Sequence, residues 1–462
     1  MPSLKRTSQD QDAELFGLAG RQSALAIAAL ADLRMSVTML AGCCRGAGPW
    51  QQDLRAGRAA SRGAACPVTS SIAPWAVLLL VASVVGVLAR RLRVPYSVGL
   101  VVAGIGLALL PWHPSVNLSR ELVYTGILPP LIFEAAYELR WDALRRNLAL
   151  VVVLATVGVL LSALATGAVM TGLVHWPMSA ALLFGILMAA TDPVSVLATL
   201  KEIGARGRLA LIIEAESLLN DGTAAILFAI AIGFVTGDPL TYKAVAITLG
   251  ATLAIGLLAG AVVAGTVLAI VGRTDDHLIE VALTSVAAYG SFLLAEQFGG
   301  SGILATLISG MLLGNLAPRW GFISDAGDRV VRSTWEFITF LANSLVFLLI
   351  GLAEGHEDFG GLWWTASAAV VAVLVGRMAA VYPVCGLFSR GRNRVGAAQQ
   401  HALVWGGLRG ALGLALVLSI PESYPWRHPI VVVTFAVVAF SIIVQGLTCR
   451  PLLRRACMTD RP

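Results

Sequence analysis

Charge is scarce in this 462-residue sequence, where only 13% of positions are Asp, Glu, Lys or Arg. That is about half the share of an ordinary soluble domain. With 57% hydrophobic residues, it excludes a water-soluble globular protein, and the same apolar richness excludes an unfolded chain. Lysine is almost missing: Lys5, Lys201 and Lys243 are the whole set, and the other basic residues are arginine. None of these lysines follows a glycine, so the GxxxxGK[ST] phosphate loop of an ATP-driven pump is absent. Cysteine is sparse too. Six residues without a CxxC pair or metal-like spacing argue against a disulfide framework or a zinc site. The histidines at 113, 175, 277, 356, 401 and 428 form no HExxH, and no GxGD occurs, which leaves an intramembrane protease without its catalytic signature.

What the chain has instead is glycine, 47 residues of it, and long apolar runs of the length that crosses a bilayer. Thirteen candidate spans are present: 72–89, 94–111, 120–138, 147–173, 179–200, 209–235, 243–271, 278–297, 301–316, 333–353, 362–388, 399–420 and 429–449. The connections between them alternate in charge. One set, including the tail, carries twenty Lys and Arg residues, among them Arg90, Arg140, Arg206, Arg319, Arg390 and Arg454; the other carries Arg120, Lys243 and Arg427 alone. Positive charge stays inside, so the C-terminus is expected in the cytoplasm of a multi-pass inner-membrane protein. The net charge of +6 is then a topology signal, with no nucleic-acid partner implied.

Residues 1–70 do not match this pattern. They are expected to be a polar leader, disordered or untranslated, with Met35 or Met39 as later starts. The transmembrane domain is expected over 71–455 and a short cytoplasmic tail over 456–462.

Ionisable groups inside a bilayer are expensive and mark functional sites. The interior set is Glu134, Asp192, Glu214, Glu216, Asp221, Arg377 and Arg409. In the fifth span, Pro193 removes a backbone donor and Asp192 is placed to cap a new helix. Taken alone, an ordinary proline kink explains these two residues equally well. In the sixth span, Glu216 and Asn220 are neighbours at i,i+4, as are Ser217 and Asp221. Glu216 is expected to pair with Arg377. Asp221, near the centre of its span and without such a partner, is expected to carry function. In the twelfth span, Gly406, Gly407 and Gly410 surround Arg409, which makes a weak helix segment near mid-depth. If spans one to six and eight to thirteen are repeats, the two interrupted helices occupy corresponding places, the arrangement that marks a substrate site in inverted-repeat transporters.

The chain resembles the monovalent cation:proton antiporters of the sodium/proton exchanger (NhaP-like) type. The resemblance rests on Leu128-Pro129-Pro130-Leu131-Ile132-Phe133-Glu134-Ala135, Ala190-Thr191-Asp192-Pro193-Val194 and Glu216-Ser217-Leu218-Leu219-Asn220-Asp221-Gly222. Gly406-Gly407-Leu408-Arg409-Gly410-Ala411 and Val444-Gln445-Gly446-Leu447-Thr448 complete it. It implies an all-α polytopic fold of two inverted six-helix repeats with crossed discontinuous helices. A scaffold and dimer unit would comprise 72–138 and 278–353, a core 147–235 and 362–449, and a linker helix 243–271.

The resemblance further implies that Asp221 alternately holds a proton or a cation, with Thr191 and Ser217 helping to bind Na+ and Glu134 at a position that does so in some members. Asn220 stands where electrogenic relatives have a second aspartate, which implies electroneutral exchange. Asp192 and Arg409 would compensate the ends of the crossed half-helices, and Glu216 and Arg377 would form a structural ion pair. It implies a homodimer, Na+ and H+ as transported substrates, and no cofactor. Potassium in place of sodium, or a cation channel, are the alternatives the residues leave open.

Overall fold

Each of the thirteen apolar runs carries helix, and no strand occurs among the described residues. The computed structural model describes residues 67–92, 94–109, 119–204, 207–237, 241–272, 276–354, 361–390 and 394–458. The leader as far as residue 66 and the tail beyond 458 lie outside the described residues. Among the described residues, eight helices are long and apolar enough to cross a membrane, and Tyr96–Ala108, Met178–Leu187 and Gly302–Leu316 are shorter apolar helices.

Several boundaries differ from expectation for local chemical reasons. The first helix begins at Pro67, where proline suits a first helical position. The tenth helix begins at Asp325, ahead of the apolar run at 333, with Asp325 and Asp328 in its first turn. Carboxylates there favour the helix N-terminus, and Asp328 also pairs with Arg332 at i,i+4 with 2.7 Å between Oδ2 and Nε. These polar turns prolong the helix without lengthening its apolar zone. The third run is divided: a π-helical stretch, Leu122–Ile127, precedes Leu128–Glu138. Pro129 and Pro130 have no N–H to donate, and the Leu128 amide reaches back five residues to the Val123 carbonyl.

Close helix crossings account for much of the glycine. Between the Tyr96–Ala108 and Asp325–Glu354 helices, a Cβ on Gly104 would collide with the Leu348 carbonyl, and one on Gly351 with that of Val101. The two backbones therefore touch with no side chain between them. Gly376 lies in the same way against Ser162 and Thr166. The largest apolar cluster joins Leu100 and Val101 to Leu183, Phe184 and Leu187, then to Leu348, Leu414 and Val433. It surrounds the two places where helices break.

Candidate functional site

The fifth run is two helices. Met178–Leu187 unwinds through 188–193 and resumes as Val194–Glu202. The twelfth behaves alike, as Ala397–Trp405, an unwound 406–410 and Ala411–Leu418. The unwound stretches cross antiparallel, and the Asp192 amide donates to the Leu408 carbonyl at 2.7 Å. Pro193 explains the first break because it cannot donate to the preceding turn. Gly406, Gly407 and Gly410 explain the second, because the crossing leaves no room for side chains. A Cβ on Gly410 would fall on the Asp192 carboxylate, and one on Gly407 on the Arg377 guanidinium.

Charges sit where the broken ends need them. Asp192 Oδ1 accepts from the Val194 amide at 2.9 Å, and its carboxylate also lies against Gly410, the residue before Ala411–Leu418. One side chain thus faces the N-termini of two half-helices. Arg409, 2% exposed, gives Nη1 to the Ala190 carbonyl at 2.8 Å, beyond the C-terminal end of Met178–Leu187. Its amide donates to Ser441 Oγ at 3.0 Å. The simple-kink reading of Asp192 and Pro193 therefore fails in favour of a true helix break.

The Arg208–Thr236 helix runs beside the crossing and brings Glu216, Ser217, Asn220 and Asp221 to it. Glu216 is held by Arg377 through two contacts, Nη1 to Oε1 and Nη2 to Oε2, each 2.8 Å. The remaining Arg377 Nε donates to the Leu403 carbonyl at 3.2 Å. Asn220, fully buried, ties the ion pair to the unwound strand: its Nδ2 donates to Glu216 Oε1 at 3.0 Å and to Thr191 Oγ1 at 2.8 Å. Ser217 donates to the Thr191 carbonyl and accepts from Thr191 Oγ1 at 3.4 Å.

Asp221 is different. Its Oδ1 is buried and has no hydrogen-bond partner among the described residues, and its charged neighbours are the carboxylates of Asp192 and Glu216. A carboxylate in such surroundings needs a proton or a cation to be stable. Among the described residues, no group of three or more His, Cys, Asp or Glu side chains is placed to hold a metal.

Thr191, Ser217, Asn220 and Glu216 thus form one hydrogen-bonded cluster, with Asp192, Arg409 and Arg377 around it. Glu134 stands outside that cluster. Its electrostatic neighbours are Glu138, Lys201 and Glu336, together with Glu214, and no hydrogen bond joins it to the cluster among the described residues.

The sequence reading gave no role to Ser441 or Gln445. Both lie on a π-helical stretch, Ser441–Gln445. Ser441 accepts the Arg409 amide, and Gln445 Nε2 donates to the Trp405 carbonyl at 3.2 Å. Two polar residues four apart inside the apolar 429–449 run were the available signal.

Comparison with known proteins gives four findings. The family described as sodium/hydrogen exchanger, transmembrane, matches residues 77–455. The Na(+)/H(+) antiporter ApNhaP of Aphanothece halophytica is 37% identical over 369 residues, covering 79% of this chain and 70% of that protein. NhaP of Pseudomonas aeruginosa, also named a Na(+)/H(+) antiporter, is 37% identical over 345 residues, covering 72% of this chain and 81% of that one. Among solved structures, the sodium proton antiporter MjNhaP1 of Methanocaldococcus jannaschii at pH 8 superposes with a TM-score of 0.70. Its identity is 19%, and the match covers 84% of this chain and 99% of that chain.

Proposed function

This chain belongs to the sodium/hydrogen exchanger family, and we propose that it exchanges Na+ for H+ across the cell membrane at Asp221. The observation that carries the proposal is the buried, unpartnered Asp221 Oδ1 beside two crossed, unwound helix segments. Glu216, one turn away, is already neutralised by Arg377, so Asp221 is the carboxylate left to take a charge from solution.

A proton and a Na+ compete for that single carboxylate. Either neutralises it, and both cannot occupy it together. Moving it bare through a low-dielectric barrier costs several kcal/mol, so the carrier crosses only when loaded and exchange is obligatory. Thr191 and Ser217 would supply neutral oxygens to the ion held at Asp221. Glu134, on the Leu128–Glu138 helix and outside the hydrogen-bonded cluster, would act as an accessory carboxylate on the approach. With Asn220 in place of a second carboxylate, one Na+ moves against one proton and no net charge is carried. The core of 147–235 and 362–449 would shift the site past a scaffold of 72–138 and 278–353, and two copies would meet through that scaffold. No cofactor enters the cycle, and the chain acts as a transporter and not as an enzyme.

Everted vesicles with a preformed pH gradient provide the test. Adding Na+ should collapse the gradient in the unaltered protein, and Asp221→Asn should show no response while inserting normally. Wild-type exchange by Asp221→Asn would remove the central assignment. A response to K+ in place of Na+ would change the ion but not the site.

A further inference from the structure

Two buried arginines stand behind the helix crossing, and the geometry gives a carboxylate to only one. Arg377 is gripped by Glu216 through both of its terminal nitrogens. Arg409 spends Nη1 on the Ala190 carbonyl, while its Nε and Nη2 have no partner among the described residues. At 2% exposure, a guanidinium with two idle donors on one edge is costly unless something accepts from it.

Both arginines line one cavity of about 10 Å³, shared with Gly407, Gln445 and apolar residues including Val373 and Val437. That volume takes a single small particle. The lining is rich in donors and holds no carboxylate. Each Arg377 terminal nitrogen has a second N–H beyond the one given to Glu216. Gln445 is the one lining side chain with an acceptor, its amide oxygen, and its Nε2 already donates to Trp405. Water accepts from a guanidinium but must also donate its own two protons, and the lining side chains offer only the Gln445 amide oxygen to take one. A monovalent anion only accepts, and it cancels a charge that nothing else in the lining cancels.

We propose that this cavity is a binding site for one small monovalent anion of halide size, chloride in the cell, held by Nε and Nη2 of Arg409. The guanidinium is a weakly hydrated cation, well suited to an ion that gives up its own water readily. The anion is a resident ligand on the far side of Arg409 from the Ala190 carbonyl. It steadies the unwound 406–410 segment through the residue at that segment's centre, so its occupancy governs how firmly the crossing is held.

The unaltered full chain, purified and crystallised in sodium bromide, gives the direct test. An anomalous bromide peak within hydrogen-bonding distance of Arg409 Nε and Nη2 is expected. An ordered cavity without that peak overturns the proposal. In solution at constant Na+, replacing chloride by gluconate should lower the melting temperature by about 3 °C or more, and bromide should restore it. Val373→Leu, which fills the cavity from its apolar side, should abolish that difference while still melting cooperatively. Equal melting of the unaltered protein in chloride and gluconate overturns the proposal, as does an undiminished anion effect in Val373→Leu. Should Val373→Leu not fold, the bromide map of the unaltered chain decides. Neither measurement requires transport, so their failure leaves the exchange reading at Asp221 untouched.

Discussion

Asn220 is surrounded by groups that leave it no freedom. It has no exposed surface, and its Nδ2 is shared between Glu216 and Thr191. Replacing it by Asp would put an acceptor against the Glu216 carboxylate, where an N–H now donates. The new carboxylate would have to bring in a proton or cation of its own. Asn220→Asp is therefore expected to make exchange sensitive to membrane potential, read in proteoliposomes by clamping the potential with valinomycin. Transport independent of potential in that variant would count against electroneutral exchange.

The Glu216–Arg377 pair is a separate matter of stability. Arg377→Ala leaves Glu216 charged and buried, which costs about 3–5 kcal/mol. Its expected signature is a lower melting temperature in detergent, with Arg377→Lys recovering only part because lysine lacks the fork that spans both oxygens. This pair was legible in the sequence, since a buried arginine requires a buried carboxylate and few were available. The isolation of Glu134 from the hydrogen-bonded cluster was not legible, because it depends on how two distant helices face each other.

For the broken helices, sequence shows where a helix stops but not what its loose ends meet. Asp192-Pro193 and the glycines around Arg409 announced two interruptions. The backbone bond between Asp192 and Leu408, and the placing of one carboxylate beside two helix starts, arise only when the segments cross. The difference between Gly410 and Gly413 makes this testable. A Cβ at Gly410 collides with Asp192, whereas one at Gly413 meets its nearest atoms at 3.4 Å, an ordinary contact. Gly410→Ala is expected to lower both melting temperature and exchange, and Gly413→Ala to leave both nearly unchanged. Equal behaviour of the two variants would mean that the crossing is looser than described. The π-helical stretch Ser441–Gln445 was hidden for a related reason: a widened turn has no residue signature of its own. Here it serves to satisfy the Arg409 amide and the Trp405 carbonyl together.

Across the whole molecule, arginine placement predicts orientation. The loops after Leu387 and before Arg208 carry basic residues, whereas the approach to Arg427 carries one. A reporter fused after the last residue should be active in its cytoplasmic form, and a single cysteine at Glu422 should react with an impermeant thiol reagent from outside. Labelling of that cysteine from the inside would reverse the topology. The all-helical fold was readable from apolar run length. The count of spans was less secure, since three of the apolar helices are short and two runs are broken by unwound segments.

The bare contact of Gly104 and Gly351 with the facing backbone has a mechanical meaning. Helices separated by side chains can slide, because rotamers give way like bristles. Two helices pressed backbone to backbone are keyed together, and slipping by a turn would drive a larger residue into the carbonyl that glycine now clears. The Tyr96–Ala108 and Asp325–Glu354 pair is therefore a fixed post within the bilayer, against which the proposed travel of the Asp221 site can be measured.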